Sequence, residues 1–325
     1  MSTRLTTVNF FAPVEEIIPR VEARMRDRTN GHHPDLHAAL EHILASGGKR
    51  VRPTVALLAG GMLEADEDRL ITLAAAIELL HTATLVHDDL IDGALLRRGM
   101  PTLNAEWSPA ATILTGDYIF SQAAKYAAET ESVDIMRMFA ETLSTIVNGE
   151  ITQIFKSRGL ASRKDYFQRI YAKTASLFEL AAAAPVFLSP GDDGFFDDLR
   201  LYGREVGTAF QIVDDVLDFT GEQATVGKPV ASDLRRGLIT LPALYYLDQY
   251  PDNPDFEKTL NGGGLNDDIV ERLVKSIRGS GAIERALNEA DRYVQRGIDA
   301  LSEMPDNPKR QALEDLAAFV VRRPS

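Results

Sequence analysis

Apolar residues recur along this chain with the spacing of helices rather than that of strands. The segment from Ile71 to Leu90 reads ITLAAAIELLHTATLVHDDL, which is rich in alanine and leucine and contains neither glycine nor proline. Four further segments share this character: 109–129, 132–156, 163–184 and 197–219. Val/Ile/Thr alternation long enough for a sheet is hard to find, and long Ala/Leu/Glu/Arg segments favour helix. The pattern therefore predicts an all-α protein.

Breaks that contain glycine or proline separate the predicted helices. Gly47 lies in one of them and can adopt the left-handed conformation that ends a helix. Further breaks lie at 99–101, 189–194 and 261–264. Each is short and flanked by apolar helices, so none resembles an interdomain linker. Because the sequence has no solenoid repeat, the simplest organisation is a single all-α domain over residues 1–325.

Composition excludes several classes of protein. The 325-residue chain has a net charge of −13, with 45% hydrophobic and 26% charged residues, which is ordinary for a soluble globular protein. It contains no cysteine, which excludes disulfides, zinc-thiolate sites and thiol nucleophiles. No long Lys/Arg tract suggests a nucleic-acid partner. The N-terminus lacks the apolar region of a signal peptide, and no uninterrupted apolar run of about 18 residues predicts a membrane span.

Two aspartate-rich motifs carry the candidate chemistry: Asp88-Asp89-Leu90-Ile91-Asp92 and Asp214-Asp215-Val216-Leu217-Asp218. In each, the first and last aspartates are four residues apart and therefore lie on one helix face. Like charges at this spacing destabilise a bare helix by about 0.2–0.5 kcal/mol per pair. Mg²⁺ would offset that repulsion, since it prefers hard oxygen ligands and commonly bridges carboxylates to substrate phosphates. A solvated acidic face would explain one such motif, whereas two of them, each embedded in apolar helix, favour a shared site.

The series of motifs resembles that of the trans-type isoprenyl diphosphate synthases of the polyprenyl synthetase family. The resemblance extends from about Gly47 to Pro242, and the last helices also fit. In chain order its elements are Gly47-Gly48-Lys49-Arg50-Val51-Arg52-Pro53, His81, the first aspartate motif with Arg97-Arg98-Gly99, Gly116-Asp117, Gly149-Glu150-Ile151-Thr152-Gln153, Lys173-Thr174, Phe210-Gln211-Ile212-Val213 with the second motif, Gly227-Lys228-Pro229 and Ser232-Asp233-Leu234. Each element alone is a weak signal, but the ordered series is very specific.

The resemblance implies an orthogonal helix bundle of the isoprenoid synthase type around a central apolar tunnel. It also implies a role for each matching residue. The expected Mg²⁺ ligands among the catalytic aspartates are Asp88, Asp92, Asp214 and Asp218, while Asp89 and Asp215 orient neighbours or metal-bound waters. Isopentenyl diphosphate is expected at Lys49, Arg52, His81 and Arg98, and the allylic diphosphate at Arg97, Lys173, Thr174, Gln211 and Lys228. The family uses three Mg²⁺ ions, for which Mn²⁺ is an alternative, to neutralise the departing diphosphate.

Several of these residues keep a structural alternative. His81 alone would more often be a core or capping histidine, and the Arg97-Arg98 pair alone would be an ordinary surface cluster. His87, beside the first motif, is expected to be structural. A buried polar network explains Glu150 and Gln153 as well as a direct role does. The C-terminal Arg322-Arg323 pair either closes over the isopentenyl site or is a solvated tail.

Leu238 departs from the family pattern. The family often has Glu-Gly-Lys before its Thr-Leu-Pro, and that lysine contacts the allylic diphosphate, whereas this chain has Arg236-Gly237-Leu238. Leucine cannot bind phosphate. Either Arg235 or Arg236 compensates, or the contact is dispensable.

The reaction that the resemblance implies is Mg²⁺-dependent head-to-tail 1'-4 condensation of isopentenyl diphosphate with an allylic prenyl diphosphate. Family members with short products have aromatic residues just before the first motif, where this chain has Ala83 and Thr84, about one turn below Asp88. Small residues there leave the tunnel open, although close helix packing would also explain them. The sequence therefore predicts a long-chain all-trans product, hexaprenyl to decaprenyl. Candidates for the residue that stops growth are Phe120, Met136, Met138 and Phe139.

Other functions are compatible with parts of this pattern. Geranylgeranyl or farnesyl diphosphate synthesis is the nearest alternative, followed by a class I terpene cyclase. Cyclases typically pair one DDxxD with an Asn/Asp-Ser/Thr-Glu motif, whereas this chain has two DDxxD motifs and GGKRVRP. A non-catalytic subunit that tunes a partner synthase would tend to lose its aspartate motifs. We further expect a cytoplasmic homodimer that contacts membranes at most peripherally, through its apolar product.

Overall fold

The computed structural model describes residues 9–27, 34–45, 47–97, 99–156, 162–191, 194–221, 230–260 and 267–322. In chain order the helices are α1 Ile18–Arg26, α2 Pro34–Ala45, α3 Val51–Met62, α4 Glu67–Ile91, α5 Leu103–Glu106, α6 Pro109–Glu129, α7 Val133–Lys156, α8 Arg163–Ile170, α9 Ser176–Ala183, α10 Phe196–Thr220, α11 Ser232–Arg235, α12 Leu241–Gln249, α13 Pro254–Leu260, α14 Asp267–Gly279, α15 Ala282–Ala300 and α16 Pro308–Arg322. Within those ranges the strands form one antiparallel hairpin, β1 Leu96–Arg97 with β2 Met100–Pro101. The prediction of an all-α protein is confirmed.

The predicted helix ends are close to the observed ones where a local cap sets them. α4 begins four residues before the predicted Ile71 because the Asp66 carboxylate accepts a hydrogen bond from the Arg69 backbone N–H at 2.9 Å. Ser108 caps α6 in the same way. Gly47 has a φ of 65°, which is the left-handed conformation predicted for it. The predicted break at 99–101 contains the turn and second strand of the hairpin, and the one at 261–264 lies outside the described residues.

The predicted helical segment 163–184 is helical but not regular. α8 passes into a π-helical turn at Tyr171–Ala175, which is followed by α9 and a 3-10 turn at Ala184–Leu188. Apolar periodicity cannot reveal this change, because a π turn adds one residue without breaking the run of helical residues.

The chain contains two compact units, each assembled from several segments. Unit 1 comprises Met1–Glu141, Leu180–Arg200 and Leu301–Leu316, and unit 2 comprises Thr142–Glu179, Leu201–Ala300 and Ala317–Ser325. The first aspartate motif belongs to unit 1 and the second to unit 2. That residues 1–325 form a single domain stays a prediction.

Helix α4 is the centre of unit 1, where it packs against α1, α3 and α6. Every residue from Leu70 to Leu80 is buried, so the helix is enclosed on all sides rather than along one stripe. Within the described part of the chain, α4 is the one helix whose length and hydropathy would suit a membrane crossing, but 78% of that window is buried inside the protein. Burial in the core therefore accounts for its composition.

In unit 2 the C-terminal part of α10 presents a buried apolar stripe that ends at the second aspartate motif. The stripe comprises Val206, Ala209, Ile212, Val213, Val216 and Phe219. Helix α12 packs against α8, α14 and α15, and its residues from Leu241 to Leu247 are all buried. The second aspartate motif thus lies at the end of a helix that is packed along one apolar face.

Candidate active site

Both aspartate motifs lie at the C-terminal ends of 25-residue helices. Asp88 is in the last turn of α4 and Asp92 is its C-cap, while Asp218 is in the last turn of α10. Neither helix has a basic residue in its last turn. Charges at a helix end interact with its dipole by about 0.3–1 kcal/mol, and the C-terminal end favours cations. Carboxylates there are unfavourable by themselves, and a bound cation would offset the cost.

The donor set of each motif suits a cation that brings further ligands with it. In the described ranges, no group of three or more His, Asp or Glu side chains could hold a metal ion. Each motif supplies carboxylates in pairs instead. Mg²⁺ commonly binds through one or two carboxylates and completes its shell with waters and substrate phosphates, so the residues present fit that ion.

The middle aspartate of the first motif holds an arginine of the hairpin. Arg97 Nε donates to Asp89 Oδ1 and Oδ2 at 3.0 and 2.9 Å, and Arg97 Nη2 donates to Oδ1 at 2.8 Å. Asp89 is buried, and its backbone carbonyl accepts from the Ala94 N–H at 2.8 Å. Asp89 therefore holds the side chain of Arg97, a predicted ligand of the allylic diphosphate, while the role of Asp89 in the reaction stays a prediction.

A pocket of unit 1 brings together several residues that the sequence singled out. His81, Asp89 and Arg97 line it, together with Arg50 and Glu78. Lys49 is exposed in the loop before α3, and Arg52 is half-buried in the first turn of that helix. Lys49 and Arg52 are not among the described residues that line this pocket.

Arg50 has a role that sequence reasoning missed. Its backbone is left-handed, with a φ of 47°, and its guanidinium donates to Glu22 in α1 and to Glu78 in α4, at 2.9 Å each. The side chains of Arg50 and Glu78 are only 10% and 7% exposed. Removing one partner of such a buried pair leaves an uncompensated charge, at a cost of about 3–5 kcal/mol. The pair ties the start of α3, which lies between Lys49 and Arg52, to α4 at a point three residues before His81.

Gly116 lies against the ring of His87. A Cβ at Gly116 would overlap with the His87 ring at Nε2. The same nitrogen lies 3.2 Å from the Ile113 carbonyl oxygen and 3.5 Å from Asp117 Oδ1. The Gly116-Asp117 motif therefore packs against His87, the residue before the first aspartate motif. These contacts agree with a structural role for His87.

We expect Gly116→Ala to lower the free energy of unfolding by about 1–3 kcal/mol, because the added methyl overpacks the contact with the His87 ring. Urea unfolding measures this change. Gly279→Ala is the matched control, since nothing lies within 4 Å of a Cβ there, and it should leave stability unchanged or raise it. Adding His87→Ala to Gly116→Ala should relieve the clash. Equal losses for the two glycine variants would contradict this account.

Asp215, in unit 2, lies at the centre of a buried hydrogen-bond network. Tyr166 Oη donates to Asp215 Oδ2 at 2.7 Å, and Gln211 Nε2 donates to Oδ1 at 2.8 Å. Gln211 Oε1 in turn accepts from Thr174 Oγ1 at 2.6 Å. Burial raises the pKa of Asp215 to about 7, and the charge of Asp233 adds to this, while the bonds from Tyr166 and Gln211 lower it. The structure thus brings together two predicted allylic-site residues, Thr174 and Gln211.

Lys173 projects from the π-helical turn beside Thr174. Its Nζ donates to Glu150 Oε1 at 2.9 Å. Glu150 therefore takes part in a polar contact in which its carboxylate holds Lys173, a predicted ligand of the allylic diphosphate.

Asp218 binds the backbone of the segment that follows it. Asp218 Oδ1 accepts from the Ser232 N–H at 3.0 Å and from Ser232 Oγ at 2.8 Å, and Oδ2 accepts from the Asp233 N–H at 3.1 Å. Burial, and then the charge of Asp233, raise the pKa of Asp218. Asp218 thus caps α11, and its role as a metal ligand stays a prediction.

Both arginines that could compensate for Leu238 are held by carboxylates. Arg235 pairs with Asp267 and also donates to the Val230 carbonyl at 3.1 Å. Arg236 Nη2 donates to Asp233 Oδ1 at 2.8 Å. To bind phosphate, either arginine would have to release the carboxylate that it contacts.

The first aspartates of the two motifs and the predicted chain-length residues are buried or half-buried. Asp88 and Asp214 are half-buried, Ala83 is buried and Thr84 is half-buried. Two candidates for the end of the tunnel, Phe120 and Phe139, stack in unit 1 with ring centroids 6.4 Å apart. The predicted ligands Arg98 and Lys228, and the terminal Arg323, lie outside the described residues.

Comparison with known proteins gives consistent matches over nearly the whole chain. The polyprenyl synthetase family model matches residues 33–277. The heptaprenyl diphosphate synthase component 2 of Geobacillus stearothermophilus is 36% identical over 306 residues, covering 93% of this chain and 94% of that protein. A polyprenyl synthase from Caulobacter crescentus CB15, solved with calcium and isoprenyl diphosphate, superposes with a TM-score of 0.93 at 34% identity, covering 98% of both chains. A decaprenyl diphosphate synthase from Rhodobacter capsulatus has a TM-score of 0.90 at 31% identity, covering 98% of this chain and 99% of the other.

Proposed function

This chain belongs to the polyprenyl synthetase family and is a prenyltransferase of long-chain polyprenyl diphosphate synthesis, and we propose that it condenses isopentenyl diphosphate head-to-tail with an allylic prenyl diphosphate. The product proposed is all-trans, from hexaprenyl to decaprenyl. Named relatives support this range, since they include a heptaprenyl and a decaprenyl diphosphate synthase.

The observation that carries the proposal is the pair of carboxylate motifs, each at the C-terminal end of a helix whose last turn lacks a basic residue. We infer that Asp88 and Asp92 of the first motif, and Asp214 and Asp218 of the second, are the ligands of three Mg²⁺ ions, for which Mn²⁺ can substitute. When bound, these ions stabilise the charge that develops on the departing diphosphate. The family is one that uses divalent metal, and the Caulobacter crescentus protein was solved with calcium.

Basic and polar side chains complete the proposed diphosphate sites. Lys49, Arg52, His81 and Arg98 bind isopentenyl diphosphate, and Arg97, Lys173, Thr174, Gln211 and Lys228 bind the allylic diphosphate. An arginine presents a planar fork to phosphate oxygens, while a lysine is a mobile point charge. Asp89 and Glu150 support this assignment, because they hold Arg97 and Lys173 by charge-assisted hydrogen bonds.

In the proposed reaction the protein supplies orientation and electrostatic stabilisation rather than a nucleophile. The bond between C1 of the allylic substrate and its diphosphate breaks, and the isopentenyl double bond attacks C1. A proton is then lost from the isopentenyl unit to the released diphosphate, which leaves a product one isoprene unit longer. Repetition lengthens the chain until the tunnel beneath the first motif, bordered by Ala83 and Thr84, is filled.

Assembly and location complete the proposal. We infer a homodimer in the cytoplasm that meets membranes only through its apolar product. The Geobacillus stearothermophilus relative is named as a component of its synthase, so dependence on a partner subunit is the alternative state of assembly. Light scattering of the purified chain tests the homodimer.

The proposed activity is tested by incubating the purified chain with Mg²⁺, isopentenyl diphosphate and farnesyl diphosphate, followed by sizing of the products. We expect a polyprenyl product within the hexaprenyl to decaprenyl range, and its loss when the metal is chelated. A product that stops at geranylgeranyl would favour the shorter-chain alternative. Absence of any elongation by the isolated chain would contradict an enzyme that acts without a partner.

A further inference from the structure

The π-helical turn of unit 2 lies between two glycines on neighbouring helices. A Cβ at Gly149 of α7 would lie 2.6 Å from the Ala172 Cβ, and a Cβ at Gly207 of α10 would lie 2.7 Å from the Ala175 Cα. No real Cβ makes such contacts, so both helices must lack a side chain at these points. The turn is therefore packed against backbone on two sides, and π turns of this kind are frequent at functional sites.

Polar residues next to the two glycines hold the side chains of Lys173 and Thr174, which belong to the turn. Glu150 follows Gly149 directly and accepts the hydrogen bond from Lys173. Gln211 lies one turn after Gly207 and accepts the hydrogen bond from Thr174. Each helix thus supplies a close backbone approach and one polar partner.

Tyr166 anchors this arrangement from α8. It is fully buried, and its hydroxyl donates to Asp215, whose other oxygen accepts from Gln211. The hydrogen bonds run without a gap from Tyr166 through Asp215 and Gln211 to Thr174. Because both Asp215 oxygens accept a donor, the carboxylate and the Gln211 amide are restricted to a single orientation.

We propose that Tyr166 is a positioning residue of the allylic-diphosphate site, which acts through Asp215 and Gln211 to orient Thr174 and, with it, Lys173. The inference rests on the proposed assignment of Lys173 and Thr174 to that substrate. Tyr166 itself touches no substrate in this account. Its ring packs at 5.2 Å against Phe167, edge to face, and that contact would survive removal of the hydroxyl.

The test compares Tyr166→Phe with Tyr126→Phe. Both tyrosines are fully buried and both hydroxyls donate at 2.7 Å, but Tyr126 donates to the Arg24 backbone carbonyl in unit 1. We expect Tyr166→Phe to raise the KM for the allylic primer by about tenfold, because loss of the hydrogen bond to Asp215 loosens the Gln211 amide that holds Thr174. The KM for isopentenyl diphosphate should not change, and Tyr126→Phe should leave both constants unchanged. Equal kinetic effects of the two variants, or none from Tyr166→Phe, would overturn the inference.

Hydrogen–deuterium exchange of the metal-free, substrate-free protein gives a second readout that needs no activity. In Tyr166→Phe, amides of residues 171–176 should exchange faster than in the wild type, and in Tyr126→Phe they should not. Unchanged exchange in this segment would contradict the positioning role even if the kinetics changed. A wild-type chain without elongation activity would instead refute the proposed function, while the exchange comparison would still decide whether Tyr166 orders the turn.

Discussion

Asp88→Asn is expected to lower kcat by about a hundredfold or more while leaving the free energy of unfolding within about 1 kcal/mol of the wild type. Loss of groups that merely support a metal ligand already costs about 10–100-fold, and a direct ligand should cost at least as much. Stability should change little, because the substitution removes a like charge four residues from Asp92 at the negative end of α4. Steady-state kinetics at saturating substrate and urea unfolding measure the two quantities.

Asp68→Asn is the control at the opposite end of the same helix. The Asp68 side chain is 90% exposed and lies in the first turn of α4, where the helix dipole favours an anion. This variant should keep full activity and lose only about a few tenths of a kcal/mol of stability, as is typical for an exposed charge. If Asp88→Asn retained activity, or if both variants lost it equally, the metal-binding role of the first motif would be refuted.

Ala83→Phe is expected to shorten the product by several isoprene units. Ala83 is 2% exposed and lies about one turn below Asp88, where the growing chain is proposed to run, so we expect a benzyl group there to fill part of that space. The added volume should also cost about 1–3 kcal/mol of stability through overpacking. Product sizing gives the chain length, and thermal unfolding shows whether the variant is folded under the assay conditions.

Leu85→Phe is the matched control for this effect. Leu85 lies on the same helix and lines the pocket that contains His81 and Arg97 rather than the proposed path of the chain. Its replacement should affect substrate binding more than product length. An unchanged product from a folded Ala83→Phe protein would show that Ala83 does not line the path, and an equal shortening by Leu85→Phe would show that the effect is not specific.

Local spacing made much of the fold and the motifs predictable. The helical class follows from apolar periodicity and composition, and the sharing of one face by Asp88 and Asp92 follows from the helical repeat. The π turn at Tyr171–Ala175, within the predicted helical segment 163–184, was not predictable, and it packs against two glycines from other helices. No periodicity within the segment carries that information.

The partners of the site residues were not predictable in this way. Arg50 bonds to Glu22 and Glu78, each 28 positions away, and Tyr166 bonds to Asp215, 49 positions away. Which donor meets which acceptor over such separations depends on helix packing. A tyrosine seven residues before the Lys173-Thr174 pair gives no signal of its own, and only its contact with Asp215 suggests a role.

For the two aspartate motifs, too, spacing along the chain determined some features and packing between helices decided others. The sequence by itself determined that each has carboxylates on one helix face, because that depends only on the helical repeat, and the ordered series of motifs determined the family. Only the tertiary structure decided that Asp89 holds Arg97, that Asp215 binds Tyr166 and that Asp218 caps α11. A buried carboxylate must be satisfied by whichever donor the fold brings to it, and that donor is set by packing between elements rather than by spacing along the chain.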